Sequence, residues 1–321
     1  MDSGEPSGPQ VAVLIPCYNE AVAIPQVVRD FRAALPHARI YVYDNNSSDD
    51  TASVARKAGA IVRREPLQGK GNVVRRMFSD VEADIYVMVD GDGTYDAGSA
   101  PRLVDALVEQ QLDMVVGARV EHGDAAYRPG HRFGNRMLTG LVSLIFGRNI
   151  RDMLSGYRVF SRRFVKSFPA MSAGFEIETE LSVHALELRM KIAEIETPYG
   201  ARPAGSASKL STLRDGWRIL KLVSHLTKEE RPADFFGATF LALALLSVGL
   251  GVPVIIEFAQ TGLVPRVPTA ILATGIMILA FLALTCGIIL ETVTTSRREM
   301  KRLAYLQIPL RTWDYSTVRT R

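Results

Sequence analysis

Cysteine is scarce in this 321-residue chain: Cys17 and Cys286 are the only two, they lie far apart in dissimilar surroundings, and neither C-x-x-C nor zinc-type spacing exists. A disulfide scaffold and a cysteine metal centre are therefore excluded. No G-x-G-x-x-G follows the first apolar run, which a dinucleotide-binding Rossmann domain requires. No self-similarity at a period of roughly 20–50 residues is visible, which removes solenoids. Residues 1–10 (MDSGEPSGPQ) have no basic start followed by an apolar core. They read as a flexible leader without a secretory signal, so the N-terminal part is expected to be cytoplasmic. With 22% charged and 47% hydrophobic residues and a mean hydropathy of +0.09, the chain is too apolar for disorder and too polar for a polytopic transporter.

What is there alternates. Short apolar runs at 11–15, 40–43, 61–64, 85–89 and 113–118 are separated by helix-like stretches at 23–35, 51–58, 71–78 and 100–110. Runs of four or five residues rich in β-branched side chains between helical periods predict βαβ units and a mostly parallel sheet buried on both faces.

After residue 230 the character changes. Residues 235–258 carry one charge, Glu257, and residues 270–290 carry none. As helices these would be about 36 and 32 Å long, enough to cross a bilayer core of about 30 Å. A nine-residue link, 260–268, makes them a hairpin with both flanks on one side. The net charge of +4 resolves along the chain: 201–231 holds seven Lys/Arg against three acids, 296–321 holds seven against two, and the remainder sums to −5. Basic flanks place both on the cytoplasmic side of a two-span membrane protein, with the globular part and both termini cytoplasmic. Within the first flank, Arg214, Arg218, Lys221 and His225 follow helical spacing beside Leu213, Trp217 and Leu220, which predicts an amphipathic helix on an anionic leaflet. The basic isoelectric point, near 9.1, thus points to a lipid bilayer and not to nucleic acid.

The run at 85–89 ends in Asp90-Gly91-Asp92-Gly93-Thr94. Acids just past a buried parallel strand sit where open α/β sheets bind ligands, and two carboxylates one residue apart can share Mg²⁺ or Mn²⁺ with a diphosphate. The first run ends in Pro16-Cys17-Tyr18-Asn19-Glu20 and the second in Asp44-Asn45-Asn46-Ser47-Ser48-Asp49-Asp50-Thr51. Residues 47–51 read as turn and capping chemistry, which leaves Asp44 unexplained.

PCYNE, the Asp44 cluster, Gly69-Lys70-Gly71, the D-G-D of 90–92 and Gly117-Ala118-Arg119 occur in the order and rough spacing of glycosyltransferase family 2. The chain resembles that family over about residues 9–230. The stretches 152–158 (DMLSGYR) and 202–210 (RPAGSASKL), with the hairpin, look like its polyprenyl-phosphate glycosyltransferases. The resemblance implies an α/β GT-A fold, Rossmann-like with a mostly parallel sheet, at 11–210. An interfacial amphipathic helix (211–231), a transmembrane hairpin (232–292) and a basic cytoplasmic tail (293–321) would follow. It implies inverting transfer from a nucleotide-sugar donor to a polyprenyl phosphate such as undecaprenyl or dolichyl phosphate, in glycan biosynthesis, and it makes a homo-oligomer such as a tetramer plausible.

By position, the resemblance gives Pro16, Tyr18, Asn19, Glu20 and Asp44 to the nucleotide base and ribose, and Gly69 and Lys70 to the ribose and diphosphate. Asp90, Gly91 and Asp92 go to the donor diphosphate, with Asp90 and Asp92 as metal ligands. Arg119, Arg132 and Arg136 go to the donor and acceptor phosphates, and Arg202, Ser206 and Lys209 to the acceptor phosphate. Glu178, Asp152 and Ser155 go to the sugar, and Asp92, Arg119 and Arg136 carry the chemistry. Mannose synthases of the group resemble D-x-D-x-Q, where this chain has Thr94. That difference and the Asp44 context favour a UDP-sugar over GDP-mannose.

The residue types suit such a reaction. A departing diphosphate develops negative charge, which a divalent cation and Arg stabilise, and Arg can bind two phosphate oxygens at once. A lipid phosphate is already anionic and needs no strong base, so His131, His184 and the other three His are read as structural. A polyprenyl tail leaves the bilayer at a cost of about 0.8 kcal/mol per CH₂, so the enzyme must meet it at the interface. Processive synthases carry Q-x-x-R-W, a context that Trp217 and Trp313 lack; a nucleotidyltransferase would have no use for the hairpin, and a non-catalytic sensor no need of the D-G-D.

Overall fold

Every apolar run of the first 120 residues forms a strand: β1 Val11–Cys17, β2 Arg39–Asp44, β3 Ile61–Arg64, β4 Ile85–Met88 and β5 Met114–Glu121. The stretches between them form α1 Ile24–Ala34, α2 Thr51–Lys57, α3 Lys70–Asp80 and α4 Ala100–Glu109. Proline in the first turn of α1 and of α4 has a fixed φ that suits a helix start and lacks a donor that would be unpaired there. Later come β6 Arg158–Ser161, α5 Arg162–Ser167, α6 Ile177–Glu187 and β7 Ile192–Tyr199. The computed structural model describes residues 8–121, 140, 150–174, 176–200 and 231–309. The chain divides into two compact units, Met1–Gly216 with Lys301–Arg321, and Trp217–Met300.

In the first unit, seven strands lie in the order β3-β2-β1-β4-β6-β5-β7. β6 runs antiparallel to both its neighbours and all other pairings are parallel, so the sheet is mostly parallel, as the alternating pattern predicts. Alternate strand residues face opposite layers. Val13, Ile15, Val87 and Val159 pack with Val28 and Phe31 of α1 and Leu103 of α4. On the other face Phe78 of α3 meets Tyr86, Phe160 and Phe168, with ring centroids 6.3, 5.7 and 6.0 Å away. In the same unit the C-terminal segment is tied in by Lys301 to Glu187 at 2.6 Å. The Tyr305 hydroxyl donates to Asp113 at 2.9 Å.

His184 of α6 is structural, as expected of it. It is 2% exposed, edge-on to Phe164 and Phe168, with Nε2 3.4 Å from the Ser167 hydroxyl. Burial, and then the Lys301 charge, depress its pKa to about 3. The unfolded chain takes up this proton below about pH 6.5 while the folded chain does so only near 3, so the unfolded state binds more protons in that window. Stability is therefore expected to fall as pH drops from about 6.5 toward 3, with His184 supplying up to about 4 kcal/mol of the loss. Denaturation midpoints of wild type and His184→Gln across that range check it. The pH slope should be shallower in the variant, and identical slopes would remove the assignment.

The second unit holds most of two long helices, α7 Pro232–Thr261 and α8 Val267–Leu306, each long and apolar enough to cross a membrane. Both outrun the expected spans, so the link shrinks from the nine residues of the sequence reading to 262–266. Gly262 closes α7 at φ +69, its N–H donating to the Phe258 carbonyl at 2.8 Å, the left-handed cap that glycine adopts without strain. α8 continues through the basic stretch because neither Gly nor Pro interrupts it between Gly287 and Pro309. Its buried residues, Ala273, Ala280, Gly287 and Thr294, recur every seventh position. Ser247 donates to the Ala273 carbonyl at 2.8 Å, and Gly287 leaves room for Phe236. Small residues at such a seam let two helices approach closely.

Candidate active site

The carboxyl ends of β1, β2 and β4 open on one edge of the sheet. Cys17 pairs in register with Asp44, and Leu14 with Met88, two residues short of Asp90. With β2 on one side of β1 and β4 on the other, the connections leave in opposite directions and a crevice opens between them. The loop after β1 is pinned by the 47–51 cluster, in the turn role predicted for it. The Asn19 N–H donates to the Ser47 hydroxyl at 2.9 Å, the Glu20 N–H to the Thr51 hydroxyl at 2.9 Å, and the Ala21 N–H to Asp49 at 3.1 Å. Asn19 itself takes a positive φ of 55° and accepts the Ser48 N–H at 2.7 Å. Pro16 lies within β1, in register with Tyr43, and Tyr18, just past the strand, stands exposed. Asp44 is buried, and its Oδ1 has no hydrogen-bond partner, as a group awaiting a ligand would be.

The Gly69-Lys70-Gly71 loop is fixed from two sides. The Gly69 N–H donates to Asn45 Oδ1 at 2.7 Å, and Asn45 Nδ2 donates to the Glu65 and Leu67 carbonyls. The Gly71 N–H donates to the Ala173 carbonyl at 3.0 Å. Gly69 has φ +131, and a Cβ on Gly71 would lie 2.0 Å from the Ser172 carbonyl oxygen, so backbone meets backbone only because both are glycine. Glu180 holds the opposing loop by accepting the N–H groups of Met171 and Ser172 at 2.8 Å each. On this fixed base the Lys70 ammonium is ion-paired to Asp90 and, at 2.5 Å, to Glu178. Burial alone would lower its pKa; the two carboxylates outweigh that and raise it well above the usual lysine value. Glu178 Oε2 is buried without a partner.

Asp92 is 5% exposed and accepts two hydrogen bonds on Oδ1, from the Thr94 N–H at 3.1 Å and the Thr94 hydroxyl at 2.6 Å. Thr94 thus orients the carboxylate. Gly91 lies against Cys17 Sγ and Gly156 against Asp90. The Cys17 thiol is pushed up by burial and then by Glu20, Asp44, Asp90 and Asp92. Among the described residues no group of three or more His, Cys, Asp or Glu could hold a metal ion. The Asp90–Asp92 pair still fits a hard divalent cation, which takes oxygen donors and keeps open positions for phosphate.

Residues 12–168 match the family described as Glycosyl transferase family 2. Glycosyltransferase AglJ of Haloferax volcanii is 34% identical over 94% of this chain and 100% of its own length. The chain is a family 2 glycosyltransferase. The dolichyl-phosphate hexose transferase of the same organism is 28% identical over 69% of this chain and 95% of its own. Among solved structures, glucosyl-3-phosphoglycerate synthase from Mycobacterium tuberculosis, in complex with Mn²⁺, UDP-glucose and phosphoglyceric acid, superposes with a TM-score of 0.56. It is 22% identical, covering 69% of this chain and 79% of that one, and it identifies the fold as GT-A-like.

In this glycosyltransferase Arg119, at the end of β5, is held by Asp152. Its Nε and Nη2 donate to the two carboxylate oxygens at 2.8 and 2.7 Å, and its backbone N–H donates at 3.1 Å. Burial would raise the Asp152 pKa, but the hydrogen bonds and charge of Arg119 bring it below the usual carboxylate range. Ser155, assigned to the sugar by the resemblance, is fully buried with its hydroxyl on the Gly117 carbonyl at 2.6 Å. Arg132, Arg136, Arg202, Ser206 and Lys209, as well as residues 211–230 of the expected amphipathic helix, lie outside the described residues. The structure therefore brings Lys70, Asp90 and Glu178 into contact, with Asp92 in the same loop past β4 and Asp44 at the end of β2.

Sequence reasoning passed over Asn45, Glu180 and Arg158. Arg158 is fully buried and donates to the Ser155 and Met153 carbonyls at 2.9 and 2.6 Å and to the Ser182 hydroxyl at 2.9 Å. Burial pushes its pKa down to about 10. The available signal was an arginine among apolar residues, Tyr157 and Val159-Phe160, since a buried cation must be fully hydrogen-bonded.

Proposed function

We propose that this glycosyltransferase moves a sugar, with inversion, from a nucleotide-sugar donor, a UDP-sugar in the favoured form, to a membrane polyprenyl phosphate. The products are a polyprenyl-phosphate sugar and a nucleoside diphosphate. The observation that carries the reading is the pairing of Lys70, at the start of α3, with Asp90 beside Asp92 just past β4, in a chain that also bears two helices long enough to cross a bilayer. A relative named for dolichyl-phosphate hexose transfer supports the acceptor, and a GT-A neighbour holding Mn²⁺ with UDP-glucose supports the donor and metal.

Asp90 and Asp92 would hold Mg²⁺ or Mn²⁺, which supplies counter-charge to the departing diphosphate. Asp44 Oδ1, buried and unpartnered, accepts from the nucleoside. Lys70 adds a cation beside the phosphates, and Arg119, already oriented by Asp152, presents its charge at the end of β5. The acceptor phosphate attacks as an anion, so positioning and charge stabilisation dominate and no histidine or serine nucleophile is required. Arg132, Arg136, Arg202, Ser206 and Lys209 are the proposed acceptor-side contacts. The hairpin and the basic flanks keep the catalytic face at the cytoplasmic surface, and the assembly is proposed to be a homo-oligomer.

Incubating the purified full-length protein in lipid nanodiscs with polyprenyl phosphate, Mn²⁺ and a panel of UDP- and GDP-sugars should give a glycosylated lipid phosphate and free nucleoside diphosphate, with a UDP-sugar best. Product from GDP-mannose alone would reverse the donor preference. Product from phosphoglycerate but not from lipid would overturn the acceptor, and no product with any donor would sink the reading.

A further inference from the structure

The backbone on both sides of Lys70 is immobilised, by Asn45 at Gly69 and by the Ala173 carbonyl at Gly71. The side chain on its four-carbon stem is the part that can move. Its ammonium is ion-paired with Asp90 Oδ1 and with Glu178 Oε1. Asp90 Oδ2 lies against Gly156, close enough that a Cβ there would stand 2.4 Å away. One oxygen of this carboxylate is thus engaged by a cation and the other is confined by the 152–156 loop. A divalent ion drawing on Asp90 meets a positive charge already in place; the side chains of Lys70 and Glu178 are only 9% and 6% exposed, which limits screening of the ammonium, while that of Asp90 is 29% exposed and open to an ion.

We propose that Lys70 and the divalent cation compete for Asp90, so that metal binding swings the ammonium off Asp90 while it keeps Glu178, turning it toward the donor phosphates. This rests on the reading of Asp90 and Asp92 as the metal pair. It makes Lys70 the residue that couples metal to donor. Metal alone binds weakly against the ammonium, and metal with a nucleoside diphosphate binds well, because the diphosphate's negative charge compensates both cations. By linkage the enhancement is reciprocal, the metal strengthening nucleotide binding by the same factor.

The test reads Mn²⁺ binding by electron paramagnetic resonance on the full-length protein, with no sugar donor or acceptor. Lys70→Met, which keeps the stem and removes the charge, is expected to bind Mn²⁺ alone about tenfold more tightly than wild type, the scale on which one nearby charge shifts ion binding at a partly buried carboxylate. The gain in Mn²⁺ affinity on adding UDP should shrink in the same variant. Unchanged or weaker binding of Mn²⁺ alone by a folded Lys70→Met overturns the proposal. A second measurement needs no variant: in wild type, Mn²⁺ should raise acylation of the Lys70 amine several-fold by peptide mass spectrometry, and no change or protection overturns it. The competition is read without turnover, so a donor panel that yields no product fails the transferase reading while leaving this result standing. A failed competition beside active transfer fails only this proposal.

Discussion

Replacing Asp92 by Ala is expected to lower kcat/KM by about a thousandfold or more, about 4 kcal/mol of transition-state stabilisation. The carboxylate is buried, and both donors of Thr94 converge on its Oδ1, so its plane is fixed before any ligand arrives. Losing it removes a pre-oriented anion, which neighbouring groups cannot replace because the loop is tied down. Thr94→Val tests the orienting role separately. It deletes the 2.6 Å hydroxyl contact and keeps the backbone donor, so metal affinity should fall by about 10–100-fold, the usual cost of losing a partner behind a ligand. Thr94→Ser should restore most of it. Initial rates with the best donor of the panel, alongside Mn²⁺ titrations, measure both. A wild-type rate in Asp92→Ala would remove the metal role, and a Thr94→Val variant as damaged as Asp92→Ala would make the threonine a direct ligand.

Much of this was legible because the signals are local. The runs at 11–15, 61–64 and 85–89 announce their strands through β-branched composition, and D-G-D announces its place through position at a strand end. What was illegible depends on contacts between distant segments. β6 is four buried residues, RVFS, without the alternation that marks a half-exposed strand, and its antiparallel direction is set by neighbours far away in sequence. Lys70 was placed near a diphosphate, yet nothing within its own segment says that its ammonium lies between Asp90 and Glu178. Arg119 likewise reads as a free phosphate ligand until Asp152, 33 positions on, is seen to hold it. Ser155 reads as a polar site residue, though its hydroxyl serves the Gly117 carbonyl within the loop. Polar residues whose partners lie across the sheet carry no periodic signature, so sequence can nominate them without assigning their partners.

Gly156→Ala should separate activity from folding in the same site. Gly156 lies outside the left-handed backbone region, so alanine suits its conformation and the conflict is with what surrounds it. The new Cβ would lie 2.4, 2.8 and 2.9 Å from Oδ2, Cγ and Oδ1 of Asp90. The loop cannot retreat, because Arg158 grips the Met153 and Ser155 carbonyls and the Gly156 N–H donates to the Tyr95 hydroxyl at 2.8 Å. Asp90 must therefore turn away, which breaks its pair with Lys70 and takes the carboxylate from the metal position. A side-chain end moves easily, so the stability loss should stay within about 1–2 kcal/mol, the low end for an overpacked contact. Activity should fall about a hundredfold or more, as for loss of a preorganised electrostatic group. Gly71→Ala is the contrast: its Cβ meets the Ser172 carbonyl at 2.0 Å, a backbone atom fixed by Glu180, so stability and activity should fall together. Thermal unfolding and initial rates on both variants decide it. Near-wild-type activity in Gly156→Ala would mean that Asp90 keeps its function away from the position seen here, and the site built around it would have to be redrawn.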